Sequence, residues 1–369
     1  MAELYANNRL YWACKAIGIA TLGSTSPTLV HGAQSLGTTI SYGITPIFEI
    51  GQLSPYENVE DIPNVEITME KVIDGYPLIY HLATRGASSN TLAGRSNQRC
   101  SVYVPIFRET RDAASGDALV EMFASGMYLS SVQYTLPVEG QCTESVTLVG
   151  NNRVWTIAST PMTGMSSIAN NAANMLNVDV PLAYALSSGG VQMRENVMFN
   201  AHYAGRDANG QVSYANASHY ATILPPDVAG ISSSGTNDRN SDGNYRASIQ
   251  NINVSANLNR DALYELGHKS AYFRPVGFPV EVSCDIEINA KSGDMVNVLE
   301  AGTTSDGGNL TNRSIRLYLQ EGTFIDLGTK NKLNNISFGG GNAGGGIDTI
   351  TYSYVTQNDF TVIHPQDPG

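Results

Sequence analysis

The amino-acid sequence predicts a mainly β protein, organised as two tandem β-barrel or β-sandwich domains with one or two short helices. Three observations carry that expectation. Apolar and polar residues alternate over many short runs, 36 Gly and 15 Pro punctuate the 369-residue chain, and a block near residue 50 returns near residue 266. Period-two alternation puts apolar side chains on one face of a strand. Gly and Pro supply the turns between strands, and a repeat identifies the structural unit before its fold is known.

Two strands are written most plainly. Val65, Ile67 and Met69 alternate with Glu66, Thr68 and Glu70, while Val280, Val282, Cys284, Ile286 and Ile288 alternate with Glu281, Ser283, Asp285, Glu287 and Asn289. Shorter runs at residues 100–106, 127–136, 144–149, 153–158, 314–319 and 348–355, bounded by Gly, Asn or Pro, predict further strands. Asn209-Gly210, between residues 197–203 and 211–214, suits a two-residue type I′ turn, because both central residues need positive φ. A long hairpin is expected there. Helical spacing of Ala113, Leu119, Val120 and Phe123 predicts a helix over 112–124, and an Ala-rich stretch predicts another over 166–176.

The repeat pairs residues 47–56 (Ile-Phe-Glu-Ile-Gly-Gln-Leu-Ser-Pro-Tyr) with residues 263–272 (Leu-Tyr-Glu-Leu-Gly-His-Lys-Ser-Ala-Tyr). Glu49/Glu265, Gly51/Gly267, Ser54/Ser270, Tyr56/Tyr272 and Pro63/Pro279 are identical at equal spacing. Shared glycines at one offset predict equivalent turns that a side chain would obstruct. After a one-residue slip the two acidic strands follow, at Val65-Glu66-Ile67 and Val280-Glu281-Val282. A looser match sets Glu144-Ser-Val-Thr-Leu-Val against Asp348-Thr-Ile-Thr-Tyr-Ser-Tyr. The expected organisation is therefore one β domain over 1–160, a connecting region with the long hairpin over 161–248 that goes with the second domain, and a second version of the first domain over 249–369.

Composition narrows the function. Lys and Arg total 21 against 33 Asp and Glu, a formal charge of −12, which opposes any surface that grips nucleic acid by its phosphates. Cys14, Cys100, Cys142 and Cys284 lie far apart without a CxxC pair, and the six histidines form no HExxH or HxH, so no metal site is expected. No GxSxG elbow or Walker A sequence is present. Residues 339–344 satisfy GxGxxG, but a strand pattern follows where a phosphate-binding helix is needed, so a hairpin loop is expected instead. Acid pairs such as Glu60 with Asp61, or Glu66 with Glu70, could flank a glycosidic bond, yet acids at i,i+2 spacing on one strand face are also what a solvated or lumen-facing sheet needs. The chain is read as having no catalytic residues, cofactor, metal ligands or membrane span. Nineteen tyrosines against nine phenylalanines suit sheet cores and subunit interfaces alike.

On these residues the chain resembles the tail tube proteins of long-tailed bacteriophages, contractile-tailed ones especially. Residues 51–75, with Ser54-Pro55-Tyr56, Pro63-Asn64-Val65-Glu66-Ile67 and Asp74-Gly75, look like the first hairpin region of a tube domain. Residues 136–152 look like a later tube strand with a Glu-Ser-Val-Thr-Leu core. Pro279-Val-Glu-Val, Ser292-Gly-Asp, residues 326–333 and residues 340–354 look like the same domain again. The resemblance implies a structural virion protein, assembled in the host cytoplasm, whose stacked rings form a conduit for DNA ejection. It also implies self-association, with tail sheath, baseplate hub and tail-terminator proteins as further partners and DNA only in transit. A tube subunit of the family has one domain in a six-membered ring, so a duplicated chain leaves open a trimer with pseudo-sixfold symmetry or a hexamer. A hub or terminator ring, and a surface β-domain binding module, remain as alternatives. Strand alternation sends Glu66, Glu70, Glu281, Asp285 and Glu287 away from the core, which makes them the candidate lumen-facing acids.

Overall fold

The computed structural model describes residues 16–24, 27–61, 63–106, 120–157, 190–197, 203–206, 212–214, 224–225, 227–228, 248–268, 270–290, 312–340, 346–365 and 367. Its strands are β1 (Gly18–Thr21), β2 (Thr28–Leu29), β3 (Ala33–Ser41), β4 (Ile44–Phe48), β5 (Pro55–Glu60), β6 (Asn64–Val72), β7 (Arg99–Ile106), β8 (Val120–Pro137), β9 (Thr143–Gly150) and β10 (Val154–Ile157). They continue as β11 (Tyr203–Arg206), β12 (Val212–Tyr214), β13 (Ile249–Asn257), β14 (Glu281–Asn289), β15 (Arg316–Tyr318), β16 (Phe324–Asp326), β17 (Lys332–Gly339), β18 (Thr349–Gln357) and β19 (Thr361–Ile363). The described helices are short, at Ile79–Ala83 and Leu92–Arg95, with a 3-10 turn at Arg194–Asn196. The mainly β expectation holds, and each run read as a strand contains one.

The helix expected over 112–124 is corrected in its second part. Residues 112–119 lie outside the described residues, but 120–124 open β8, because Val120–Phe123 find ladder partners on both edges: Ile106 to Tyr103 of β7 and Ile157 to Val154 of β10. Pairing on two sides overrides local spacing. The stretch 166–176 and the Asn209-Gly210 turn fall outside the described residues. Around that turn β11 and β12 pair antiparallel, with Tyr203 opposite Tyr214 and Arg206 opposite Val212, as a hairpin requires. Likewise β17 and β18 pair with Gly339 opposite Thr349, so the glycine-rich segment joins two strands of a hairpin.

The long strand β8 organises the main sheet. One of its edges carries β9 and then β10, and the other carries β13 and then β7. Following the longest strands, the order is β3, β6, β9, β8, β13, β14, β18, β17, every neighbour antiparallel. The first four and the last four have the same internal order by sequence: first, second, fourth, third. Hydrogen bonding runs unbroken from one quartet to the other across β8 and β13. The sheet is open, since β3 and β17 each have one partner strand among the described residues. With Glu66 set on Glu281, their partners Val149 and Gln357 coincide, so Glu144 stands where Tyr352 does. The looser sequence match thus joined the right strands but slipped the register by four residues.

One face of this sheet is the core. Val65, Ile67 and Met69 of β6, Val132, Tyr134 and Leu136 of β8, Ile252, Val254 and Ala256 of β13, Val282, Cys284 and Ile286 of β14 and Tyr352 and Tyr354 of β18 are all buried in it. Glu144, on the core face of β9, does a specific job there. The helix at Ile79–Ala83 has no side-chain cap of its own, and the Glu144 carboxylate accepts the N–H groups of Ile79 (2.6 Å) and Tyr80 (3.0 Å) and the hydroxyl of Tyr134 (3.0 Å). Burial raises its pKa, while Lys71 and these donors pull it back. Lys71 Nζ in turn donates to Asp74 (3.2 Å) and to the carbonyls of Tyr76 and Pro77. Removing a buried acceptor strands its donors. Glu144→Ala is therefore expected to cost on the order of 3 kcal/mol in chemical denaturation, and Glu144→Gln, which keeps one acceptor oxygen, markedly less.

A second buried group joins that helix to the chain's last strands. His81 Nε2 donates to Val362 O (3.2 Å), His364 lies 3.5 Å from Glu321, and Arg95 pairs with Asp367. Burial lowers His81 to about 4 and His364 to about 3, and raises Glu321 to about 7. An unfolded histidine takes its proton near 6.5, so the two histidines stabilise the fold above that pH and lose this as pH falls towards 4. Glu321 has the opposite sign, favouring the fold below about 4.5 and withdrawing this as pH rises to about 7. The melting temperature is expected to fall between pH 6.5 and 5. Thermal melts of His364→Gln should show a shallower fall, and Glu321→Gln a steeper one.

Candidate functional site

The face of the sheet opposite the core is built almost wholly from small polar side chains. From β3 to β17 it presents Ser35, Thr39 and Ser41; Glu66, Thr68 and Glu70; Ser145 and Thr147; Ser131, Gln133 and Thr135; Asn253 and Ser255; Glu281, Ser283, Asp285 and Glu287; Thr351, Ser353 and Val355; and Lys332, Asn335 and Ser337. These positions are half-buried or exposed. Ladder register decides their common side, because residues opposite each other in a sheet point the same way. Ser255 and Ser283 hydroxyls bridge β13 and β14 at 2.7 Å, and Ser35 donates to Glu70 at 3.5 Å.

All five acids singled out from alternation sit on this face. Glu66 and Glu70 stand on β6, and Glu281, Asp285 and Glu287 on β14, the second strand of each quartet. Four strand steps separate these two columns, about 19 Å at the usual strand spacing. None of the five is in an ion pair among the described residues. The intervening strands contribute hydroxyls and amides, so the acids set the sign of the face.

Each quartet also projects a hairpin between its first and second strands, and the repeated block is that hairpin. In the first, β4 pairs β5 with Ile47 opposite Glu57; in the second, Leu263 bridges Phe273 and Arg260 bridges Val276. Gly51 and Gly267 occupy the two turns with φ of 90° and 87°. The expectation that a side chain would clash there is corrected: a Cβ at either glycine meets nothing within 4 Å, and left-handed backbone is what calls for glycine. The residues just before them, Ile50 and Leu266, are fully exposed, as is Leu53. Ile44, Phe48, Tyr56, Tyr264 and Tyr272 extend the apolar surface. Sequence reasoning found the repeat but not this exposure; the signal was an apolar residue placed beside a turn glycine in both copies.

The second hairpin is locked to the first quartet. The Arg260 guanidinium donates to the carbonyls of Leu129 and Ser96 and, at 2.7 Å, of Arg274, and it lies over the Tyr128 ring at 4.9 Å. Arg274 donates to Asn151 Oδ1 (2.9 Å), whose amide donates to Ala271 O (2.6 Å). Burial lowers the Arg260 pKa to about 10, which leaves it charged at neutral pH. No comparable contact joins the first hairpin to the sheet among the described residues. Cys100, Cys142 and Cys284 are buried, and burial raises their thiols, the first two to about 12. The described residues hold no cluster of metal-ligating side chains, and no described helix is long and apolar enough to cross a membrane.

Exposed apolar patches of this kind drive self-association. Replacing Ile50, Leu53 and Leu266 together by Glu is expected to shift sedimentation towards smaller species while leaving the melting temperature within a degree or two, since none of the three packs in the core.

Comparison with known proteins agrees with the N-terminal pattern. A family model described as Phi812 tail tube protein matches residues 18–73, which run from β1 to the end of β6. The resemblance to tail tube proteins thus stands on the family's own sequence pattern over that segment. No curated protein matches the chain. Among solved structures, it is similar to a chain of the PVC sheath–tube complex of an extracellular contractile injection system in its extended state, at 9% identity over 42% of this chain and 97% of that one, TM-score 0.31. It is similar to the tube-terminating cap of the anti-feeding prophage at 12% identity over 42% and 99%, TM-score 0.29. A chain of the anti-feeding prophage baseplate, 6-fold symmetrised, matches at 11% identity over 41% and 97%, TM-score 0.30.

Proposed function

We propose, from a chain whose residues 18–73 carry the tail tube pattern, that this protein is a structural component of a phage tail and forms stacked rings whose polar sheet face lines the conduit for DNA. The observation that carries the reading is that five acids lie in a carpet of Ser, Thr, Asn and Gln, with Lys332 at the β17 edge, on one face of a continuous open sheet. Its other face is core, which leaves the polar face free to line a lumen. We read the two quartets as duplicated tube domains, one within 1–160 and one within 249–369, and the ring as three chains supplying six quartets. At about 4.8 Å per strand and a tilt of about 40°, six quartets close at roughly 50 Å across, wide enough to pass a duplex.

A lumen of this composition suits transit. Acids repel phosphates within about 8 Å at physiological salt, and a wall without a cationic stripe gives a polyanion no counterions to release. The exposed hairpins then meet the next ring, where their apolar tips are covered. Sheath, baseplate hub and terminator proteins are the further partners on this reading, and host cytoplasm is where it assembles. A hub or terminator ring of the same fold would use the same face, and copy number per particle separates these from a tube.

The test is to replace Glu66, Glu70, Glu281 and Asp285 by Lys in assembled particles. Slowed or arrested DNA ejection from intact tails is the expected outcome. Normal ejection from the surviving particles, together with failed assembly, would place these acids outside the lumen.

A further inference from the structure

The helices of the first quartet are finished by residues that come much later in the chain. After β18 the backbone turns at Asn358, in left-handed conformation with φ of 63°, and then runs along those helices. One edge of β19 pairs with β16, Val362 opposite Ile325. On its other edge Thr361 bridges Thr91, and Phe360 O accepts the N–H of Leu92 at 3.1 Å. The Phe360 ring is buried, edge-on to Tyr80 with centroids 5.9 Å apart and 6.4 Å from the ring of Tyr134. Around it His81 Nε2 donates to Val362 O, 281 residues away in the chain, and Asp367 pairs with Arg95 and lies 3.6 Å from His81.

These contacts fall on the parts that organise the first quartet. The helix Ile79–Ala83 packs against β1, β7, β8 and β9. Glu144 of β9 holds both that helix and Tyr134 of β8, and Tyr134 is opposite Val254 at the junction with the second quartet. Phe360 therefore stands on the helix and on the junction strand at once. Taking it away uncovers Tyr80 and Tyr134 and loosens the backing of β8.

We infer that residues 359–367 form a clasp whose closure makes the first quartet competent to self-associate, so that only a chain with both quartets in place enters a ring. During synthesis the earlier half forms first, with Ile50 and Leu53 of its hairpin already exposed to partners. What it lacks at that stage is the clasp. A loosely backed β8 has to be ordered when copies associate, and that ordering weakens the contact. Burial of Phe360 and Val362 and the charge-assisted Arg95–Asp367 pair close the clasp without any outside factor. The inference rests on the ring reading for the assembled state, and the closure stands on the contacts themselves.

The test uses the full chain with Phe360→Ala and, separately, with Phe360→Ala, Thr91→Cys and Thr361→Cys together. Opposed residues of an antiparallel bridge lie about 4.5–5.5 Å apart at Cα, within reach of a disulfide, so oxidation shuts the clasp and reduction frees it. Amide exchange across residues 79–95 is expected to quicken about a hundredfold in Phe360→Ala. The strands β6, β14 and β18 should keep wild-type protection, and the assembled mass should disappear from native mass spectra. Oxidising the triple variant should restore both, and reduction should reverse them. Wild-type exchange over 79–95 in Phe360→Ala, or fast exchange there in protein that assembles as the wild type does, overturns the clasp. Should Phe360→Ala lose protection throughout, Asp367→Ala, which severs the pairs with Arg95 and His81, carries the same two comparisons. Wild-type protein that stays monomeric while the exchange results are as expected sinks the ring reading and leaves the closure standing.

Discussion

The pairing of β8 along both its edges is the constraint on which the rest depends. An isolated quartet would bury one face and leave two edges open. By accepting β9 on one side and β13 on the other, β8 fuses two quartets into one sheet, buries Tyr134 and Leu136 at the junction, and aligns the two polar faces as one surface. Arg260 of the second hairpin then secures that junction through the backbone carbonyls of Leu129 and Ser96. Hydrogen bonds from a buried cation to carbonyls are among the stronger ones available, and here they hold one relative placement of the halves.

What the junction leaves undone is equally informative. The chain ends its sheet on two strands whose apolar residues are half covered, and it extends two hairpins whose tips are apolar and wet. A monomer gains nothing from either feature, and each favours aggregation. On the proposed reading, neighbouring copies cover both features. The buried chemistry fits this account: Glu144 and the His81, Glu321 and His364 group organise helices and terminal strands under the sheet, and lie on its core side, away from the acidic face.

Much of this was legible in the sequence. Alternation at 65–70 and 280–289 located β6 and β14 and put five acids on the face opposite the core, because a strand's period of two leaves no freedom once the apolar side is known. The repeat located both hairpins. Among the strands missed, β13 reads Ile-Gln-Asn-Ile-Asn-Val-Ser-Ala-Asn and alternates over Ile252–Asn257, whereas β3, at the sheet edge, reads Ala-Gln-Ser-Leu-Gly-Thr-Thr-Ile-Ser and alternates weakly. An edge strand buries little, so it needs few apolar residues and leaves little pattern. The start of β8 was read as helix because pairing with two neighbours is invisible in a local window. Arg260 and Arg274 were missed as well, since the partners that tie them to the first quartet, Leu129, Ser96 and Asn151, lie more than a hundred residues away in the chain.

The account stands on the orientation of the polar face in the assembled protein. Electron cryomicroscopy of the protein in its native assembly, at a resolution that shows side chains, measures this directly. The account predicts Glu66, Glu70, Glu281, Asp285 and Glu287 on the inner wall of a closed ring. A ring whose inner wall is formed by the hairpins or the helices, with these acids on the outer surface, would contradict it.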